Sequence, residues 1–259
     1  MSEIGLTGVS VELGGRDVVD DVDAAIERGE WVGLIGPNGA GKTTMLRAIC
    51  GLLPYRGSVR VQGDEVAKVP RRELGRRIAL VPQVPSTPVW MTVGEYVLLG
   101  RTPHLGALAR EGESDRTIAS RALERLDLLG YAGRTLGTLS GGERQRVVVA
   151  RALAQEASII ILDEPTTALD IGHQQQALEL LEDLRGEVQL TLVAAMHDLT
   201  LAAQYVDRMI LIRAGRIVAD GAPADVLTED GITEHYDASI RVLEVDGRVA
   251  VVPTRRVRP

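Results

Sequence analysis

An α/β fold is predicted for this 259-residue chain by three observations. Gly36-Pro37-Asn38-Gly39-Ala40-Gly41-Lys42-Thr43-Thr44 follows an apolar run of strand length, Trp31 to Ile35. After it, Met45, Leu46, Ile49, Cys50 and Leu53 recur at helical spacing. Further apolar runs end in polar residues and alternate with helix-period segments, as strands and crossover helices do.

The nine-residue stretch fits G-x-x-x-x-G-K-[ST], and strand, glycine turn and helix are the context that motif needs. Glycines let the backbone approach a phosphate and aim several N–H groups inward. The helix N-terminus adds partial positive charge at the same point. Lys42 brings a full charge to the outer phosphates of a nucleotide, and Thr43 offers a hydroxyl to Mg²⁺. The competing reading, a glycine turn that merely joins two elements, leaves the agreement of motif and flanks unexplained.

The other elements follow in order. Residues 4–13 alternate loosely and stop at Gly14-Gly15, a strand and a turn; a second strand runs through Val19 to Ile26. Gly51 and Pro54 end the helix after the loop. Val59 and Val61 mark a half-exposed strand, and Ile78 to Val81 a short buried one closed by Pro82-Gln83. From Val84 to Gly137 strand alternation disappears, so this block reads as a helical insertion in the α/β core. Thr92-Val93-Gly94-Glu95 is a capping box. Ile118, Ala122, Leu123, Leu126 and Leu129 give a second helix, and Arg110 to Asp115 is expected to be a mobile loop. Ser140 and Glu143 form another capping box, opening a helix through Val147, Val148, Ala150, Leu153 and Ala154. Ser158 to Leu162 is a buried strand ending in Asp163-Glu164. A helix through Leu178, Leu180, Leu181 and Leu184 leads to the strand Leu190–Ala195, then His197. Val206 to Arg213 is a strand that Ala214-Gly215 turns back. The tail is a β-hairpin, Ile240–Val245 and Arg248–Val252, around Asp246-Gly247.

Bulk properties bound the class. A chain 45% apolar and 25% charged is ordinary for a folded protein. No apolar run reaches the roughly 18 residues of a membrane span, and Met1 to Leu13 lacks a signal-peptide core. A cytoplasmic protein is expected, reaching a membrane only through a partner. The net charge of −7 argues against nucleic acid as a partner. With no Phe, two Trp and five Tyr, base-stacking platforms are not expected. The single cysteine, Cys50, reads as a buried inert thiol.

Two further stretches suggest chemistry. Asp163 and Glu164 end the most apolar strand, and neighbours on a strand point to opposite sides, so they divide the work. Asp163 is placed to hold Mg²⁺ through its water shell and Glu164 to polarise an attacking water. An N-capping acid at a strand-to-helix turn is the plainer reading; the phosphate loop upstream tips the balance. Ser140-Gly141-Gly142 opens a helix whose amides and hydroxyl make a second anion site. A second site makes sense if two copies associate head to tail and grip each nucleotide from both sides.

On these residues the chain resembles the ATP-binding subunits of ABC transporters over nearly its whole length. It matches the phosphate loop at 36–44, a glutamine loop at Gln83 and the signature Leu139-Ser140-Gly141-Gly142-Glu143. It also matches the hhhhDE element at 159–164, the D-loop Ala168-Leu169-Asp170 and the switch histidine His197. The resemblance implies a P-loop NTPase with a RecA-like core and an antiparallel β subdomain (1–83 and 151–239), an inserted helical subdomain (84–150) and a C-terminal hairpin and tail (240–259). It implies that ATP and Mg²⁺ are bound, that Gln83 touches Mg²⁺ or the attacking water, and that His197 bonds the γ-phosphate and the catalytic glutamate. Asp170 would line a homodimer contact. Permease subunits in the membrane would be partners at its cytoplasmic face, and the transported solute would not touch this chain.

One departure stands out. Where the family usually stacks an aromatic on adenine, this chain has Leu13. Base–aromatic stacking is worth ~1–3 kcal/mol elsewhere, so weaker adenine binding is expected unless Arg16 stacks instead. Gly100-Arg101-Thr102-Pro103-His104 and the C-terminal hairpin resemble importers of ferric siderophores, haem or cobalamin. The alternative is a non-transport ATPase of the same family, such as one serving iron–sulfur cluster assembly.

Overall fold

The computed structural model describes residues 2–106, 109–166 and 169–255. It comprises two compact units, Met1–Lys68 with Thr191–Pro259, and Val69–Leu190.

The first unit begins with a hairpin of β1 (Ile4–Leu13) and β2 (Arg16–Ile26). Its last paired residues are Leu13 and Arg16, and both turn glycines have positive φ. Every residue of β3 (Trp31–Ile35) is buried, as expected of a strand covered on both faces. The loop then leads into α1 (Lys42–Ile49), which buries Met45, Leu46, Ala48 and Ile49. Cys50 follows, buried as expected. β4 (Arg56–Val61) pairs antiparallel with β1, and the short β5 (Asp64–Glu65) with β4. Val59 and Val61 face inward at period two.

The second unit starts at α2 (Arg71–Arg77) and β6 (Ile78–Val81). Then come α3 (Val93–Leu98), α4 (Glu113–Glu124), α5 (Gly141–Ala154), β7 (Ile159–Asp163) and α6 (Ile171–Val188). β6 and β7 run parallel, from Ile78 opposite Ile159 to Val81 opposite Leu162. Both sequence-read capping boxes form. The Glu95 amide donates to Thr92 Oγ1 at 3.3 Å while Glu95 Oε2 accepts from the Thr92 amide at 2.9 Å.

The stretch Arg110 to Asp115, expected to be a mobile loop, remains irregular only to Gly112. α4 begins at Glu113 because Asp115 accepts from the Gly112 amide at 3.0 Å and from Arg101 Nε at 3.0 Å. Arg101 is 5% exposed. It also donates to the Ala154 carbonyl at 2.8 Å and to Glu156 at 2.7 Å, tying α4 to the end of α5.

Returning to the first unit, β8 (Thr191–Ala195) is followed by α7 (Leu199–Tyr205), β9 (Arg208–Arg213) and β10 (Arg216–Gly221). β3 lies between β8 and β9, parallel to both, and β10 turns back along β9. α8 (Pro223–Val226) and α9 (Glu229–Tyr236) lead to the hairpin β11 (Ile240–Val245) and β12 (Arg248–Pro253). Asp246 and Gly247 have φ of 52° and 76°, the two positive values a type I′ turn requires. Thr200 Oγ1 on α7 donates to the Val251 carbonyl at 3.1 Å and accepts from its amide at 3.0 Å.

Arg101 generates a stability prediction. Replacing it with Met keeps most of the volume but strips a buried cation from Asp115 and Glu156, and breaking such a group costs about 3 kcal/mol. Urea unfolding should show that loss; a change within experimental error would mean the cluster is worth nothing.

Candidate nucleotide-binding site

In the first unit the parallel register sets the site. Leu34 pairs with Ala195, so Gly36 and His197 each lie two residues beyond a matched position. Ligands of α/β sheets bind at these carboxyl ends. Gly36 has φ of 148°, and a Cβ there would sit 2.1 Å from the Ile212 carbonyl oxygen. At Gly41, with φ of 108°, it would sit 2.6 Å from the Val18 carbonyl oxygen. Only glycine tolerates such approaches. The loop is thus wedged against β9 and β2, and its shape does not wait for a ligand.

Lys42 is 5% exposed. Its ammonium donates to the Gly36 carbonyl at 2.6 Å and the Pro37 carbonyl at 3.2 Å. No acidic residue occupies the first turn of α1. Charge and helix terminus therefore act together on an incoming anion. Thr43 and Thr44 are half-buried in that same turn. Asn38 and Gly39 are exposed at the loop's tip, and Ala40 is buried beneath them. His197 is exposed between β8 and α7, whose first turn Asp198 caps by accepting from the Leu201 amide at 2.9 Å. Leu13, 41% exposed, and Arg16 face each other across the hairpin tip. Arg16 precedes by two residues the Val18 carbonyl that abuts Gly41.

In the second unit the same geometry recurs. Val81 pairs with Leu162, so Gln83 and Glu164 also lie two residues past matched positions. The Gln83 amide donates to Glu164 Oε2. Asp163 ends β7 and is 3% exposed. The expectation that strand pleating separates Asp163 from Glu164 is corrected. Glu164 has already left β7, with φ of 54°. A left-handed turn, costly for a non-glycine residue, sets its direction.

The signature residues form the start of α5. Glu143 Oε2 accepts from the Ser140 amide at 2.7 Å, and the Glu143 amide donates to Ser140 Oγ at 3.3 Å. Leu139 is buried behind them, while Ser140 and Gly141 are exposed and Gly142 is half-buried. Asp170 caps α6, accepting from the His173 amide at 2.9 Å and the ring Nδ1 at 2.7 Å. Ala168, its companion in the D-loop, lies outside the described residues. The Gln83–Glu164 contact and the Ile212 carbonyl under Gly36 had no local signal, because each joins residues more than eighty positions apart.

Residues 19–167 match the ABC transporter family. The chain belongs to that family. It is 45% identical over 251 residues to the cobalamin import ATP-binding protein BtuD of Halobacterium salinarum, covering 96% of this chain and 63% of that protein. It therefore spans less than two thirds of that relative's length. It is 42% identical to the hemin import ATP-binding protein HmuV of Streptomyces coelicolor, with 96% of this chain and 89% of that one covered. Among solved structures, it resembles a dimeric ATP-binding cassette in a post-hydrolysis state bound to ADP and Pi. The TM-score is 0.74 at 30% identity, over 85% of this chain and 98% of the other. As an ABC transporter family member it has the P-loop NTPase fold expected from its sequence.

Two site carboxylates are held below the usual range. Asp170 is lowered chiefly by the His173 amide, then by its ring; Glu143 by the Ser140 amide, then by its hydroxyl. A lowered folded-state pKa gives stability that is complete above the unfolded value and lost as pH falls through the folded one. The urea midpoint should thus drop as the pH goes below about 4. A Glu143→Gln, Asp170→Asn double variant should drop less steeply over that range, and parallel curves would contradict the assignment.

Proposed function

We propose that this protein is the ATP-binding and ATP-hydrolysing subunit of an importer, with cobalamin, haem or a ferric siderophore as cargo. The observation that supports this most is the buried ammonium of Lys42 poised over a loop in which Gly36 and Gly41 admit no side chain. The import ATP-binding relatives favour it over a cluster-assembly ATPase.

In this reading the amides of Gly36 to Thr44 and the Lys42 ammonium hold the β- and γ-phosphates of ATP. Thr43, Asp163 and Gln83 are the residues that would hold Mg²⁺. The donors suit it: Mg²⁺ takes few protein oxygens and keeps waters and phosphates as its other ligands. No group of three or more acidic, His or Cys residues able to hold a metal alone occurs among the described residues. When bound, the ion supplies charge neutralisation. Glu164 accepts a hydrogen bond from the water and turns its lone pair toward the γ-phosphorus, and Gln83 keeps the carboxylate aimed. His197 donates to a γ-phosphate oxygen. Leu13 and Arg16 offer adenine an apolar surface and a guanidinium plane in place of an aromatic ring.

Two copies would sandwich two ATP molecules, with Ser140, Gly141 and Gly142 of one facing the phosphates held by the other. The exposure of Ser140, of Asp170 and of Ile171, 81% exposed, suits a face awaiting a second copy. Val84, Val89 and Trp90 are 83%, 63% and 72% exposed. They belong to the groove around residues 84–105, which would meet the permease at the cytoplasmic face of the membrane. Among the described residues no helix is long and apolar enough to cross it. Neither nucleic acid nor the cargo itself would contact this chain.

Two experiments test the reading. Glu164→Gln should cut ATP turnover at least ~100-fold yet leave ATP binding intact and trap a dimer; near-normal turnover would remove Glu164 from the chemistry. Mixed dimers with Ser140→Arg on one copy and Lys42→Ala on the other should keep one working site. Dimers with both changes on a single copy should lose both, and equal activity of the two mixtures would refute the shared site.

A further inference from the structure

Gly142, the second glycine of the signature, is closed off by a side chain from another helix. A Cβ at Gly142 would lie 2.9 Å from Cδ2 of His173 and 3.4 Å from its Nε2. His173 sits in the first turn of α6, three residues after its cap. Asp170 Oδ1 accepts from its backbone amide and is 2.7 Å from Nδ1. That second bond places the proton on Nδ1 and fixes the ring plane, so the edge bearing Cδ2 and Nε2 abuts Gly142. The ring and the carboxylate are 55% and 72% exposed. A ring at the surface is normally free to swing; this one is pinned by the residue that caps its own helix.

We infer that His173 is a positioning residue that seats the signature turn, linking Asp170 to the backbone at Gly142. The inference rests on the shared-site reading above and names a device within it. Asp170 lies on the face proposed to meet a second copy. Any shift of its carboxylate rotates the ring, and the ring bears on the backbone that would contact the opposite copy's nucleotide. Gly142 needs to be glycine for the ring's sake, since its own φ is not among the positive ones.

This makes a reciprocal prediction. Gly142→Ala should force the ring off Asp170 and weaken ATP-dependent dimerisation. His173→Ala should weaken it too, by loosening the turn. The two changes together should be milder than their sum by ~10-fold, the coupling expected of residues in contact. Dimerisation is measured by analytical ultracentrifugation with ATP in the Glu164→Gln background, and ATP affinity of the dilute monomer by calorimetry. The monomer's affinity, set by the phosphate loop, should stay within about twofold in every variant, since sites without shared partners act independently. His173→Asn, which keeps a donor for Asp170, is the reserve if His173→Ala unfolds. If the parent protein forms no ATP-dependent dimer, the shared-site reading fails. If the parent dimerises and His173→Ala or His173→Asn matches it, or if the double change is simply additive, the role of His173 is overturned.

Discussion

Parallel pairing between short, buried strands is the constraint on which the rest depends. β3 aligned with β8, and β6 aligned with β7, each bring two chain exits level. Because Leu34 matches Ala195, the phosphate loop and His197 leave their sheet at one height. Because Val81 matches Leu162, Gln83 and Glu164 leave their strands at one height and bond. A register slip would displace one member of each pair by ~3.3 Å per residue and exchange the two faces its side chains pack against. The strands that fix this register contain no chemically active residue until their ends.

Lys42 shows how the loop turns that placement into affinity. Its ammonium is drawn down onto the Gly36 and Pro37 carbonyls, so the charge is ordered before an anion arrives. Ordering a lysine side chain costs up to roughly 2 kcal/mol of rotamer entropy. Here that cost is met in folding rather than in binding, which favours tight binding by pre-organisation.

What could be read from the sequence was local. The nine-residue loop, both capping boxes and the Asp246-Gly247 hairpin depend on residues within a few positions of each other, and the structure has all of them. What escaped depends on distant partners. Nothing near Asp163 signals that Glu164 turns left-handed, or that its carboxylate accepts from Gln83, 81 positions earlier in the chain. Asp115, three residues after Gly112, is a local sign that a helix starts by Glu113, but Arg101 reaches it from another segment with no such sign. Gly100 to His104, which resembles a subfamily mark, is occupied structurally. Arg101 ties α4 to α5, the Pro103 carbonyl accepts from Arg72 and Arg76, and His104 Nε2 lies 2.8 Å from the Gln155 carbonyl. A surviving family pattern can thus record packing rather than cargo.

The C-terminal hairpin grips α7, the helix that begins two residues after His197. Thr200 bridges both polar groups of Val251, and Gln204 donates to the Val249 carbonyl at 3.3 Å. The segment bearing the histidine is therefore splinted by β12. Trimming the chain at Asp246 would leave every motif intact on paper while unbolting the lever that one of them sits on.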